Sequence, residues 1–129
     1  MLGLAMLLAA LQTAPVPGRD IVVAYECSHR VHSDERTCRL ELTVSAAESG
    51  GRESVIRYEC LIRRNVRCVP RSRPPRDVWA RRYAEGFARR FEADQTLHSL
   101  RDGQAYQLRF RVAEDSETPL EGASPSADD

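Results

Sequence analysis

Three groups of side chains in this 129-residue chain have types and spacings that could do chemistry: a histidine–carboxylate loop, four cysteines and a long run of arginines. His29 and His32 stand three apart, with Asp34 and Glu35 just beyond. Imidazole and carboxylate ligands converging in one loop could hold a divalent metal. A metal-binding protein or enzyme built on this loop is therefore the alternative reading, although the same residues suit an ordinary polar hairpin tip. His98 has no partner evident in the sequence and is expected at the surface. The chain has no G-x-S-x-G, H-E-x-x-H, P-loop or G-x-G-x-x-G motif. With no catalytic set in view, the expectation is a non-enzymatic protein without a cofactor.

Cys27, Cys38, Cys60 and Cys68 all fall on the apolar parity of the strands that carry them. An even count in an exported chain reads as two disulfides. The expected pairing is Cys27 with Cys38 and Cys60 with Cys68, because each pair flanks a hairpin turn. Each bridge would close a loop of about ten residues and stabilise by roughly 2–3 kcal/mol. Pairing Cys38 with Cys60 and Cys27 with Cys68 is the alternative, since the second and third strands are themselves neighbours. The spacings fit no common zinc knuckle, and a C-x-x-C redox motif is missing.

The charge balances at 19 basic against 19 acidic residues, and every basic residue is arginine. The distribution is uneven: arginines crowd 57–90, while 114–129 is acidic without a base. Guanidinium groups bind phosphate and carboxylate bidentately. The candidate binding set for an anionic partner is Arg63, Arg64 and Arg67 on a hairpin, Arg71, Arg73 and Arg76 in a connector, and Arg81 and Arg82 on a helix, with Arg89 and Arg90 further along it. In an exported protein the expected partner is an anionic polymer or protein of the envelope, not nucleic acid.

The elements that must position these groups follow from periodicity. Strict alternation predicts strands over 20–27, 38–46, 54–62 and 105–113, with a shorter one over 66–69. Ser49, Gly50 and Gly51 mark a turn, as do Asp102 and Gly103. Pro70, Pro74 and Pro75 end the sheet pattern. Trp79, Tyr83, Phe87 and Phe91 then recur at i+4 and predict an amphipathic helix over 76–93, with Pro75 and Asp77 near its start. Gly86 weakens that helix but allows a close approach. The fold expected is α+β: an antiparallel sheet of four to five strands with one amphipathic helix packed on one face.

Residues 1–18 read as a signal peptide, because the apolar run from Leu2 to Leu11 suits a signal-peptide core and is too short to span a bilayer. A single domain over 19–113 and a disordered acidic tail over 114–129 complete the organisation. The location expected is periplasmic or secreted, with no transmembrane segment in the mature chain.

The order strand, tight turn, strand, helix, strand is carried by 56–62, 66–69, a Pro-Pro linker, 78–91 and 106–112. It resembles the ββαβ C-terminal domain of TonB-type energy transducers, some of which carry a cysteine on each of the first two strands. The resemblance implies a periplasmic protein-interaction domain that pairs its last strand with a partner's edge. The Tyr-Pro motif, membrane anchor and Pro-rich spacer of that family are missing. A shorter stretch, Leu100-x-x-Gly103-x-x-Tyr106, resembles the tyrosine corner of immunoglobulin-like sandwiches.

Overall fold

The computed structural model describes residues 18–29, 31–32, 34–48, 50–98 and 101–115, together with the backbone of 126–128. The expected signal peptide lies outside these residues except for Gly18, and so does most of the expected acidic tail.

The fold is α+β, with an antiparallel sheet and one main helix. Five strands of five or more residues make the body of the sheet: β1 (Gly18–His29), β2 (Arg36–Val44), β3 (Ser54–Ile62), β4 (Val66–Pro70) and β5 (Ala105–Ala113). A three-residue strand, β6 (Ser126–Asp128), adds to the outer edge of β5. The order is β4-β3-β2-β1-β5-β6. Helix α1 (Val78–Ala93) connects β4 to β5, and a single turn, α2 (Gln95–His98), follows it.

Burial follows the pleat. Ile21, Val23, Tyr25 and Cys27 on β1 face the helix, as do Cys38, Leu40, Leu42 and Val44 on β2. Ile56, Tyr58 and Cys60 on β3 and Phe110 and Val112 on β5 continue the same layer. The helix answers with Ala80, Tyr83, Ala84, Phe87, Ala88 and Phe91. Large and small residues alternate along this stripe, so the aromatic rings enter the sheet layer while the alanines let the backbone approach. Tyr25 meets Phe91 edge-on at 5.8 Å, and Trp79 stacks on Tyr83 at 5.3 Å. Burying one such aromatic side chain contributes about 2–3 kcal/mol.

Asp77 caps the helix instead of lying within its first turn. Its backbone is extended, and its side chain accepts a hydrogen bond from the Ala80 N–H. Pro75 consequently precedes the helix. Positive φ at Gly50 and Gly103 matches the two turn signals. Gly51 is needed for space instead, because a Cβ there would come within 2.6 Å of the Ala46 Cβ.

The cysteines form the expected bridges, Cys27–Cys38 and Cys60–Cys68. The register shows why both pairings suggested themselves. Cys27 lies opposite Cys38, Cys38 opposite Cys60, and Cys60 opposite Cys68. The four form one transverse row across β1 to β4. No helix among the described residues is long and apolar enough to cross a membrane.

Candidate anionic-partner surface

The eight arginines singled out in sequence do not share one face. Arg81 and Arg82 line a groove between α1 and the connector that follows β4, with Arg89 and Glu85 on the same helix face. Pro70, Ser72, Pro74 and Pro75 form the opposite wall, and Ile56 and Tyr58 also line the groove, whose volume is about 660 Å³. Gly86 lines this groove too, so the missing side chain widens it. The connector wall is pinned to the sheet. The Arg57 N–H donates to the Ser72 hydroxyl, and the Arg71 N–H donates to the Arg57 carbonyl. Arg73 and Arg76 are exposed along the same connector.

Arg63 and Arg64 instead line a hollow at the other end of the helix, and Arg67 joins them only in a shallow patch on the β3–β4 turn. Arg71 turns to the open face of the sheet, where it pairs with Glu59 at 3.4 Å. Arg57 and Glu41 pair across strands on that face at 2.9 Å, so its charge is largely self-neutralised.

Availability separates the set further. Arg63 is held by Glu35 at 2.8 Å, and Arg90 lies 3.9 Å from Asp94. Arg89 donates to both Glu92 oxygens and, through Nη2, to the Cys68 carbonyl. Glu92 in turn accepts from the Cys68 N–H at 2.7 Å. By contrast, Arg64, Arg67, Arg73, Arg76, Arg81 and Arg82 pair with no carboxylate among the described residues. Two of these six, Arg81 and Arg82, line the groove, and Arg73 and Arg76 are exposed on the connector that forms its other wall. Beneath them burial pushes the Tyr58 phenol pKa up; Glu85 adds to that rise and Arg89 opposes it.

The histidine loop does not assemble as a ligand set. The His29 Nδ1 pairs with Asp102 on the β5 side, Glu35 pairs with Arg63, and His32 occupies a left-handed turn position. Among the described residues no three His, Cys, Asp or Glu side chains are placed to hold a metal. Both cysteine pairs are oxidised, which leaves no free nucleophilic sulfur.

His98 is buried, not at the surface. Its ring packs beside Phe91, and its carbonyl accepts from Arg36. Burial, then the nearby Arg36 charge, lowers its pKa, while Asp94 acts in the opposite sense.

Arg19 escaped the sequence reading altogether. Its side chain is 6% exposed, beneath the start of the helix. It donates to Asp77 at 2.5 Å, to Glu114 at 2.8 Å and to the Ser45 carbonyl at 3.1 Å, and its guanidinium lies 5.0 Å from the centre of the Trp79 ring. The Trp79 indole N–H also donates to the Glu114 carbonyl. Burial works against the Arg19 charge, but the two carboxylates outweigh it and raise the pKa. The signal was present in parity: Arg19 is in phase with Ile21, Val23, Tyr25 and Cys27.

Comparison with protein-family models, with curated proteins and with solved structures returns no match.

Proposed function

We propose that this protein is an exported, non-enzymatic interaction module, periplasmic or secreted, whose helix–connector groove engages an anionic envelope partner. The observation that carries the reading is the set Arg73, Arg76, Arg81 and Arg82, none with a carboxylate partner among the described residues: Arg81 and Arg82 line the groove, and Arg73 and Arg76 are exposed on the connector that forms its other wall. Guanidinium groups gathered beside a concavity raise the local positive potential, which fits an external anion. The two disulfides support an oxidising compartment.

The resemblance to the TonB C-terminal domain would favour strand addition at β5 instead. That edge already carries β6 over Gln107 to Arg109, and this occupancy makes the groove the stronger reading.

The test is binding to an immobilised acidic polypeptide and to envelope fractions at about 50 and 500 mM salt. The expected result is a loss of affinity of tenfold or more at the higher salt, and a similar loss when Arg73, Arg76, Arg81 and Arg82 are replaced by alanine. Binding that ignores both salt and the four substitutions would remove the groove from the account.

A further inference from the structure

The two sides of the sheet are finished differently. On one side β6 covers part of β5. On the other, β4 pairs with β3, and no strand among the described residues lies beyond it. The phase of the β3–β4 ladder follows from its two ends. The Arg71 N–H donates to the Arg57 carbonyl, and the Arg63 N–H donates to the Asn65 carbonyl. Hydrogen-bonded and non-hydrogen-bonded positions alternate along an antiparallel pair. Arg67 and Val69 therefore turn their peptide groups towards β3, while Val66, Cys68 and Pro70 turn theirs outward. Such a row of open donors and acceptors is a template for another strand.

The middle and the far end of this row are closed off. Pro70 has no N–H to offer. At Cys68 both peptide groups are taken by α1. The N–H donates to a Glu92 oxygen at 2.7 Å, and the carbonyl accepts from Arg89 Nη2 at 3.4 Å. Arg89 Nη1 donates in turn to both Glu92 oxygens, at 2.7 and 3.0 Å. The two side chains thus supply what one residue of an antiparallel neighbour would: an acceptor for the N–H and a donor for the carbonyl. The Glu92 side chain is 16% exposed, so water has little access to compete for it.

We infer that β4 is a latent pairing edge for a second copy of this chain, and that the Arg89–Glu92 pair is its guard. Pairing is antiparallel about a two-fold axis at Cys68, so the two Cys68 residues exchange the hydrogen bonds that the guard now holds. In that register Arg67 of one copy lies opposite Val69 of the other, and no like charges meet. Val69, 39% exposed, gains cover from the Arg67 stem. The Val66 N–H finds the Pro70 carbonyl, but Pro70 returns no donor, so proline and guard act together against pairing. Glu92 does not line the helix–connector groove, so the inference stands apart from the groove and its partner.

Sedimentation equilibrium and amide hydrogen exchange on the oxidised full chain test it. In the parent the Cys68 amide should exchange about tenfold or more slowly than the Val66 amide, although both point outward. Glu92→Ala should self-associate about tenfold or more tightly than the parent, the effect of releasing one charge-assisted hydrogen bond at the edge. Glu92→Gln keeps an acceptor oxygen and should associate like the parent. Adding Val69→Arg to Glu92→Ala sets arginine against arginine in the proposed register and should return association to the parent level. Equal exchange at Cys68 and Val66 in the parent would overturn the guard, as would equal association of Glu92→Gln and Glu92→Ala. Association of Glu92→Ala within about twofold of the parent, or association that survives Val69→Arg, would overturn the pairing edge.

Discussion

Replacing Arg19 with methionine should be among the most damaging single changes available outside the aromatic core. Methionine retains most of the apolar stem but abandons Asp77, Glu114 and the Ser45 carbonyl together. Breaking a fully buried ion pair from one side costs about 3–5 kcal/mol. Asp77 and Glu114 are 25% and 37% exposed, so water recovers part of that loss, and about 2–3 kcal/mol is expected. In a domain of this size that lowers the melting temperature by roughly 10–20 °C. The assay is reversible thermal unfolding by circular dichroism with the disulfides intact. Asp77→Asn retains an oxygen for the helix cap but removes the charge, so the double variant should fall short of additivity by about 1 kcal/mol or more. pH supplies an independent check. Asp77 has a lowered pKa, first through its hydrogen bond from Arg19. Its contribution is therefore complete above the unfolded value of about 4 and disappears as pH falls through the folded value. The gap between parent and Arg19→Met should stay constant from pH 7 to 5 and narrow below about pH 4. A melting point within 2 °C of the parent, or strict additivity with Asp77→Asn, would refute this role for Arg19.

Phe87→Ala and Phe91→Ala each remove a ring with no exposed surface and should cost about 3–5 kcal/mol, measured by urea unfolding. Oxidised protein should titrate with no free thiol, and opening Cys60–Cys68 by a double Cys→Ala change should destabilise by roughly 2–3 kcal/mol. His98, whose pKa is lowered, binds its proton more weakly when folded than when unfolded. Stability should therefore be complete above about pH 6.5 and fall on acidification below it, a slope that His98→Asn removes from urea midpoints taken at pH 8 and 5.5.

The alternation of β3 and β5 was legible to the residue at both ends, because one face of each strand is apolar and the other charged. β1 runs two residues further each way than its pattern suggested. Its polar ends are carried by pairing, Gly18 with Ala113 on one side and His29 with Arg36 on the other. The disulfide pairing was readable because hairpin topology brings sequence neighbours together. The arginines were not readable as a site. A sequence run is contiguous, but the turn, connector and helix that carry this one point to different ends of the molecule. Arg19 and His98 were missed for a related reason. Both are polar residues whose burial depends on partners contributed from 58 and 62 residues away, Asp77 and Arg36. β6 lies within the stretch expected to be a disordered tail, where composition says nothing about which backbone it pairs with.

The transverse row of cysteines makes the sheet mechanically uneven. Covalent rivets join β1 to β2 and β3 to β4, while β2 and β3, like β1 and β5, are held by hydrogen bonds and side-chain contacts without a covalent link. Under tension the domain should part along those two unriveted seams and leave two crosslinked hairpins. Each rivet also shields the chain between its cysteines from load, over separations of 11 and 8 residues. A single molecule stretched from its ends should therefore lengthen by roughly 60 Å less when oxidised than when reduced. A module tethered between an envelope and a moving partner would yield early at its seams, yet its β1–β2 and β3–β4 hairpins would stay closed.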